Sequence, residues 1–244
     1  MTSKTWIFIS PHFDDVVLSC GGLVYTLTQH GYRVEIWTIM GGFPSSEKYS
    51  TFADQNHRAW GMSGVEAIKM RRGEDRAACE MLGAQPRHFD WQDAIYRYDP
   101  KTGEPLVNNN DELFSRPPEQ SLLDEIRAML VKEISSHVHV VGPIGLGNHI
   151  DHCVVTQAMG AFPHSKNFYA DYPYILEHFD HPAITTNLYA KQPTTLSMEA
   201  LKAWQEAVLC YASQLSGFWC DADEMRLALR NYLAGGGGGL WKRA

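Results

Sequence analysis

Apolar runs and apolar stripes alternate along this chain, and the alternation predicts strands and helices in turn. Trp6-Ile-Phe-Ile-Ser10 is a short apolar run rich in β-formers, the pattern of a strand buried on both faces. Val16 to His30 is apolar at helical spacing and stops at Gly31. Arg33 to Met40 is a second strand, which completes one β–α–β unit. Gly41 to Gly64 lacks periodicity and reads as a long loop. Glu66 to Leu82 is a helix stopped by Gly83, and Arg87 to Trp91 is a third strand.

The second half repeats the alternation. Tyr98 to Asp111 is polar and turn-rich, Glu119 to Ser136 is an amphipathic helix, and His137 to Ile144 is a fourth strand. Gly145 to Asn148 is a glycine-bearing turn before a helix over Ile150 to Gly160. Phe168 to Tyr174 and Thr185 to Lys191 fit two further strands, and Met198 to Gln214 and Asp221 to Leu233 fit C-terminal helices. The whole predicts a single three-layer, Rossmann-like α/β domain with a mostly parallel central sheet. The domain is expected over residues 1–234, with the five glycines from Gly235 opening a flexible tail over 235–244.

Charge narrows the partners. Lys and Arg total 21 against 28 for Asp and Glu, a net charge of −7, and no run of five like charges occurs. Nucleic acid and anionic membrane surfaces attract basic faces, so neither is an expected partner. Five widely spaced cysteines with no Cys-x-x-Cys fit a reduced, cytoplasmic setting and no cysteine metal site. No signal peptide and no apolar stretch long enough to span a membrane is expected. The assembly state is open, and a homo-oligomer is compatible with the composition.

The chemistry concentrates at two strand ends, where open α/β sheets bind ligands. Pro11-His-Phe-Asp-Asp15 follows the first strand, and His149-Ile-Asp-His152 follows the fourth. His12 with Asp15, and His149 with His152, are spaced to face one side of a first helical turn. A catalytic zinc takes three protein ligands and leaves a position for water. These four candidates therefore exceed the need by one.

The two segments resemble the signatures of the LmbE-like, or PIG-L, de-N-acetylases, zinc enzymes that remove acetyl groups from N-acetylglucosamine units. The first family motif reads (Ala/Pro)-His-Pro-Asp-Asp-Glu, and the second, His-x-Asp-His, is matched in full. Arg71 and Glu74 match an Arg-x-x-Glu element. Arg76 to Gly83, Tyr172-Pro-Tyr174 and Tyr211-Ala-Ser-Gln214 also look like the family, so the likeness runs from about residue 5 to residue 215. The resemblance implies that His12, Asp15 and His152 bind Zn2+, with Fe2+ or another divalent ion able to take its place. Asp14 is then the general base, and His149 in its charged form stabilises the oxyanion. Asp151 orients an imidazole, and Arg71 binds substrate. The implied reaction is hydrolysis of an N-acyl group from a small N-acetylated amino-sugar conjugate. Another amide or phosphoester hydrolase, or an inactive sugar binder, is the alternative.

Three positions depart from the family pattern. Phe13 and Val16 replace the usual proline and glutamate. Gly147 stands where some sugar-specific members carry a tyrosine, which leaves a donor to the substrate carbonyl unassigned. Trp60, Trp91 and Trp219 are read as core residues.

Overall fold

In the computed structural model, which describes residues 5–160, 162, 166–178, 180–185, 189–192 and 194–243, the first strand, β1, runs from Thr5 to Ser10. Helix α1 (Asp15–Gln29) returns to β2 (Arg33–Thr38), and Gly31, at φ 77°, makes the turn between them. Helices α2 (Thr51–Trp60) and α3 (Gly64–Leu82) lead to β3 (Gln85–His88). Helices α4 (Asn110–Ser115) and α5 (Gln120–Glu133) precede β4 (His139–Pro143). Helix α6 (Ile150–Gly160), β5 (Lys166–Tyr169), α7 (Pro182–Thr185) and β6 (Tyr189–Lys191) follow. The chain ends with α8 (Met198–Leu209), α9 (Ala212–Phe218), α10 (Ala222–Ala234) and β7 (Trp241–Arg243).

Among the described residues the strands form one sheet in the order β3-β2-β1-β4-β5-β7-β6. β1 to β5 are mutually parallel, and β7 is antiparallel to both β5 and β6. Side chains alternate across a strand, so β1 feeds two cores. Phe8 joins residues of α1, α3, α8 and α10, whereas Ile7 and Ile9 join residues of α5 and α6. The predicted α/β layering is therefore present, with helices on both faces of a mostly parallel sheet.

Several boundaries differ from the sequence reading. The expected loop 41–64 contains α2, which Ser50 caps by accepting from the Ala53 N–H at 3.0 Å. The strand expected over 87–91 sits at 85–88, and the helix expected over 198–214 breaks at Cys210 and Tyr211 into α8 and α9. Residues 186–188 of the strand expected over 185–191 lie outside the described residues. The glycine run is not a loose tail. It carries the chain back to the sheet, where β7 separates β5 from β6, and a side chain at Gly238 would meet the Trp204 ring at 2.9 Å. The five cysteines are free thiols.

The α1–α8 contact needs small residues. A Cβ on Gly21 would lie 2.6 Å from the Trp204 ring, so glycine lets the two helices approach. The Trp204 indole N–H donates to the Val17 carbonyl just before a kink in α1 at Cys20. This contact anchors the helix that Asp15 opens.

Candidate active site

β1 and β4 lie side by side where the strand order turns back on itself, the crevice in which open α/β sheets bind ligands. The loops leaving their carboxyl ends bring the two motifs together, and His12, Asp14, Asp15, His149, Asp151 and His152 are all buried.

Asp15 is the link between the motifs. Its Oδ2 accepts the His12 backbone N–H at 2.7 Å and lies 3.4 Å from His12 Nδ1. Its Oδ1 lies 3.3 Å from His152 Nε2. The far nitrogen of His12, Nε2, is 3.0 Å from Asp151 Oδ2 and 3.7 Å from Asp93 Oδ2. Asp151 is fully enclosed, with Arg97 Nη2 2.7 Å from Oδ1 and the Ala94 N–H donating to Oδ2 at 3.0 Å.

His152 is oriented from behind. Its Nδ1 is 2.7 Å from Asp171 Oδ1, and Asp171 Oδ2 accepts the Gly145 and Leu146 N–H groups at 2.8 and 3.1 Å. His149 meets His12 edge to face at 4.8 Å. The Asp151 N–H donates to His149 Nδ1 at 3.2 Å, which places the ring proton of a neutral His149 on Nε2.

Asp14 faces Arg71, whose Nη2 is 3.5 Å from its Oδ1. The guanidinium lies 5.3 Å from the Phe13 ring and 5.2 Å from the Trp60 ring, between the two. At Gly147, φ is 82°, and a Cβ there would stand 2.8 Å from the Tyr174 ring. Tyr174, which lines the cavity, thus fills the space that a side chain at 147 would need.

The electrostatics separate these groups. Burial raises the Asp14 pKa, opposed by Arg71. Burial also acts upward on Asp15, but His152 and His12 outweigh it and hold Asp15 well below the carboxylate range. Burial pulls His12 down, yet Asp93, Asp15 and Asp151 outweigh it and push it up to about 10. His152 is raised well above its ordinary value because Asp15 and Asp171 overcome its burial. Burial, and the charge of His12, hold the His149 pKa well below its ordinary value, which favours the neutral ring.

The donor set suits a divalent cation. His152 Nε2 is buried with no hydrogen-bond partner among the described residues and faces a carboxylate oxygen. Around it, the buried carboxylates of Asp14, Asp15, Asp93, Asp151 and Asp171 outnumber the guanidinium groups of Arg71 and Arg97. His12 and His152, both with raised pKa values, offset most of that surplus, and a divalent cation can take the place of their protons. Donor atoms converge within 4.8 Å in two trios among the described residues, His12–His149–His152 and His12–Asp93–Asp151. The expected trio His12, Asp15 and His152 is instead joined through the two oxygens of Asp15.

Asp93, Arg97 and Asp171 escaped the sequence reading because no motif marks them. A signal existed for two of them, since Asp93 follows β3 and Asp171 follows β5, both at the carboxyl side of the sheet. Trp60, read as a core residue, lines the cavity.

Residues 7–162 match the model of the PIG-L family, described as GlcNAc-PI de-N-acetylase. The chain belongs to the PIG-L family. A curated relative of this PIG-L protein, a 2'-N-acetylparomamine deacetylase of Niallia circulans, is 28% identical over 193 residues, which cover 72% of this chain and 69% of that one. The crystal structure of a deacetylase–teicoplanin complex from the teicoplanin pathway aligns with a TM-score of 0.78 at 25% identity, over 98% of this chain and 99% of that one. An A40926 pseudoaglycone deacetylase aligns with a TM-score of 0.72 at 27% identity, over 97% and 96%. Fold, family and enzyme class, a hydrolase of the deacetylase kind, thus agree with the sequence reading. No described helix of this PIG-L protein is long and apolar enough to cross a membrane.

Proposed function

We propose that this PIG-L protein is a divalent-metal N-deacetylase of amino-sugar conjugates, with zinc as its metal and Fe2+ or another divalent ion able to substitute. The observation that carries this reading is His152 Nε2, a buried imidazole nitrogen with no hydrogen-bond partner among the described residues, turned toward Asp15 while Asp171 holds the opposite nitrogen. A carboxylate behind a histidine is the usual support of a metal ligand. His12, Asp15 and His152 are the ligands in this proposal, and a His/His/Asp set suits zinc.

When bound, such an ion polarises an acyl oxygen and acidifies water. The chain supplies the rest. Asp14, beside Asp15 and held by Arg71, takes a proton from the attacking water; its raised pKa makes it a stronger base than an exposed aspartate. The water oxygen bonds to the acyl carbon, and the C–N bond breaks. Asp14 returns the proton to the departing nitrogen, which leaves as an amine while the acyl group leaves as a carboxylate. His149, with its proton on Nε2, donates to the acyl oxygen as charge builds there. Asp151 fixes the His12 ring from its Nε2 side. Arg71, paired with Asp14 at the cavity wall, positions that carboxylate.

The substrate class draws support from the relatives, deacetylases of N-acetylated sugar conjugates by name. The test is amine release from a panel of N-acetylglucosaminides by zinc-loaded protein, with a chelator-treated control. Release that stops with the chelator and returns with zinc is expected. No release from any member at one zinc per chain overturns the proposal.

A further inference from the structure

Three helices close the mouth of the cavity, and each presents the same pair of side chains to it. Asn56 and Trp60 come from α2, Asn110 and Phe114 from α4, and Gln214 and Phe218 from α9. In every pair a carboxamide precedes an aromatic ring by four residues, the spacing that puts both on one helix face. Asn56 Nδ2 donates to the Phe52 carbonyl and Gln214 Nε2 to Ser213 Oγ, so each of these amides keeps its oxygen and one N–H for hydroxyl groups, and the rings offer flat apolar faces. The rings extend from the reacting centre to solvent. Phe114 packs edge-on to His149 at 5.4 Å, whereas Phe218 is 40% exposed.

Cations are scarce on the same wall. Among the described residues lining the cavity, Arg71 is the single guanidinium, and there is no lysine. Arg71 is already committed, since it is 5% exposed, paired with Asp14 and placed between Phe13 and Trp60. Asp14, Asp15 and Asp93 line the cavity on the other side of the balance. A phosphate carried beside the sugar would meet rings, amides and carboxylates, with no spare cation to pair with it.

We propose that this mouth selects amino-sugar conjugates whose second half is aromatic and carries no negative charge, and disfavours sugar phosphates. The inference rests on the deacetylase reading for the reaction, and on the three amide–aromatic pairs for the selection.

Turnover and binding are measured on matched compounds. The substrates are the 4-nitrophenyl glycoside, the methyl glycoside and the 1-phosphate of N-acetylglucosamine. The expected kcat/KM for the aryl glycoside exceeds that of the methyl glycoside by about tenfold, and the phosphate falls below the methyl glycoside by about as much. Phe218→Ala brings the aryl-to-methyl ratio toward one. Calorimetric titration of wild-type protein with the corresponding glucosaminides reads the same order without turnover. If that order holds while no amide is cleaved, the deacetylase reading fails and the selection stands. If the phosphate binds as well as the methyl compound, or the aryl compound binds no better, the selection is overturned.

Discussion

The Tyr211 hydroxyl lies 2.9 Å from the carbonyl oxygen of Phe13, the residue between His12 and the Asp14–Asp15 pair. The same hydroxyl is 2.8 Å from Asp75 Oδ1, and His88 Nε2 is 2.6 Å from Asp75 Oδ2. One turn of α3 thus holds three parts of the site. Arg71 reaches Asp14, Asp75 reaches Phe13 through Tyr211, and Glu74 accepts the Ser213 N–H and hydroxyl at 2.8 and 2.6 Å. Two segments that look isolated in the sequence, Arg71 to Glu74 and Tyr211 to Gln214, therefore clasp each other across the site.

Tyr211→Phe keeps the ring and removes the tie to the Phe13 peptide. The expected result is a kcat lower by about tenfold to a hundredfold, with KM within about threefold and zinc still bound. Steady-state kinetics beside a zinc assay checks it. An unchanged kcat with a lowered melting temperature would show a purely structural hydroxyl.

Asp171 bridges His152 to the N–H groups of the Gly145 turn. Asp171→Asn weakens both contacts and lets the imidazole turn. Zinc affinity is expected to fall by about tenfold to a hundredfold, read by competition with a chromogenic chelator. Wild-type affinity would separate Asp171 from the metal-binding task.

Gly147 combines φ 82° with a Cβ position 2.8 Å from the Tyr174 ring. Gly147→Ala adds left-handed backbone strain, costing about 1–2 kcal/mol, and displaces Tyr174 from the cavity wall. Urea unfolding is expected to show a loss of at least that size, together with reduced turnover. An unchanged midpoint would mean that the turn relaxes freely.

The parts of the fold with long, uninterrupted patterns were legible from the sequence. β1, α1 and β2 announce themselves by an apolar run, a helical stripe and Gly31. Helix α2 was not legible, because its buried positions are only Phe52, Ala53 and His57 within a polar segment. The break between α8 and α9 was hidden by apolar spacing that continues through Tyr211. That residue leaves the helix to reach Phe13 and Asp75, contacts which exist only in the folded chain. β7 is three residues long and draws its pairing from β5 and β6. In the site, the residues carried by motifs were legible. Asp93, Arg97 and Asp171 were not, since tertiary packing alone brings them to His12, Asp151 and His152.

The central claim separates the metal ligands from the base next to them. The most direct test counts zinc per chain and measures amine release, side by side, for wild type, Asp14→Asn and His152→Ala. The account predicts one zinc and a turnover lowered by about 10²–10⁴ in Asp14→Asn, and loss of the zinc in His152→Ala. Full turnover in Asp14→Asn, or one tightly held zinc with wild-type turnover in His152→Ala, would contradict it.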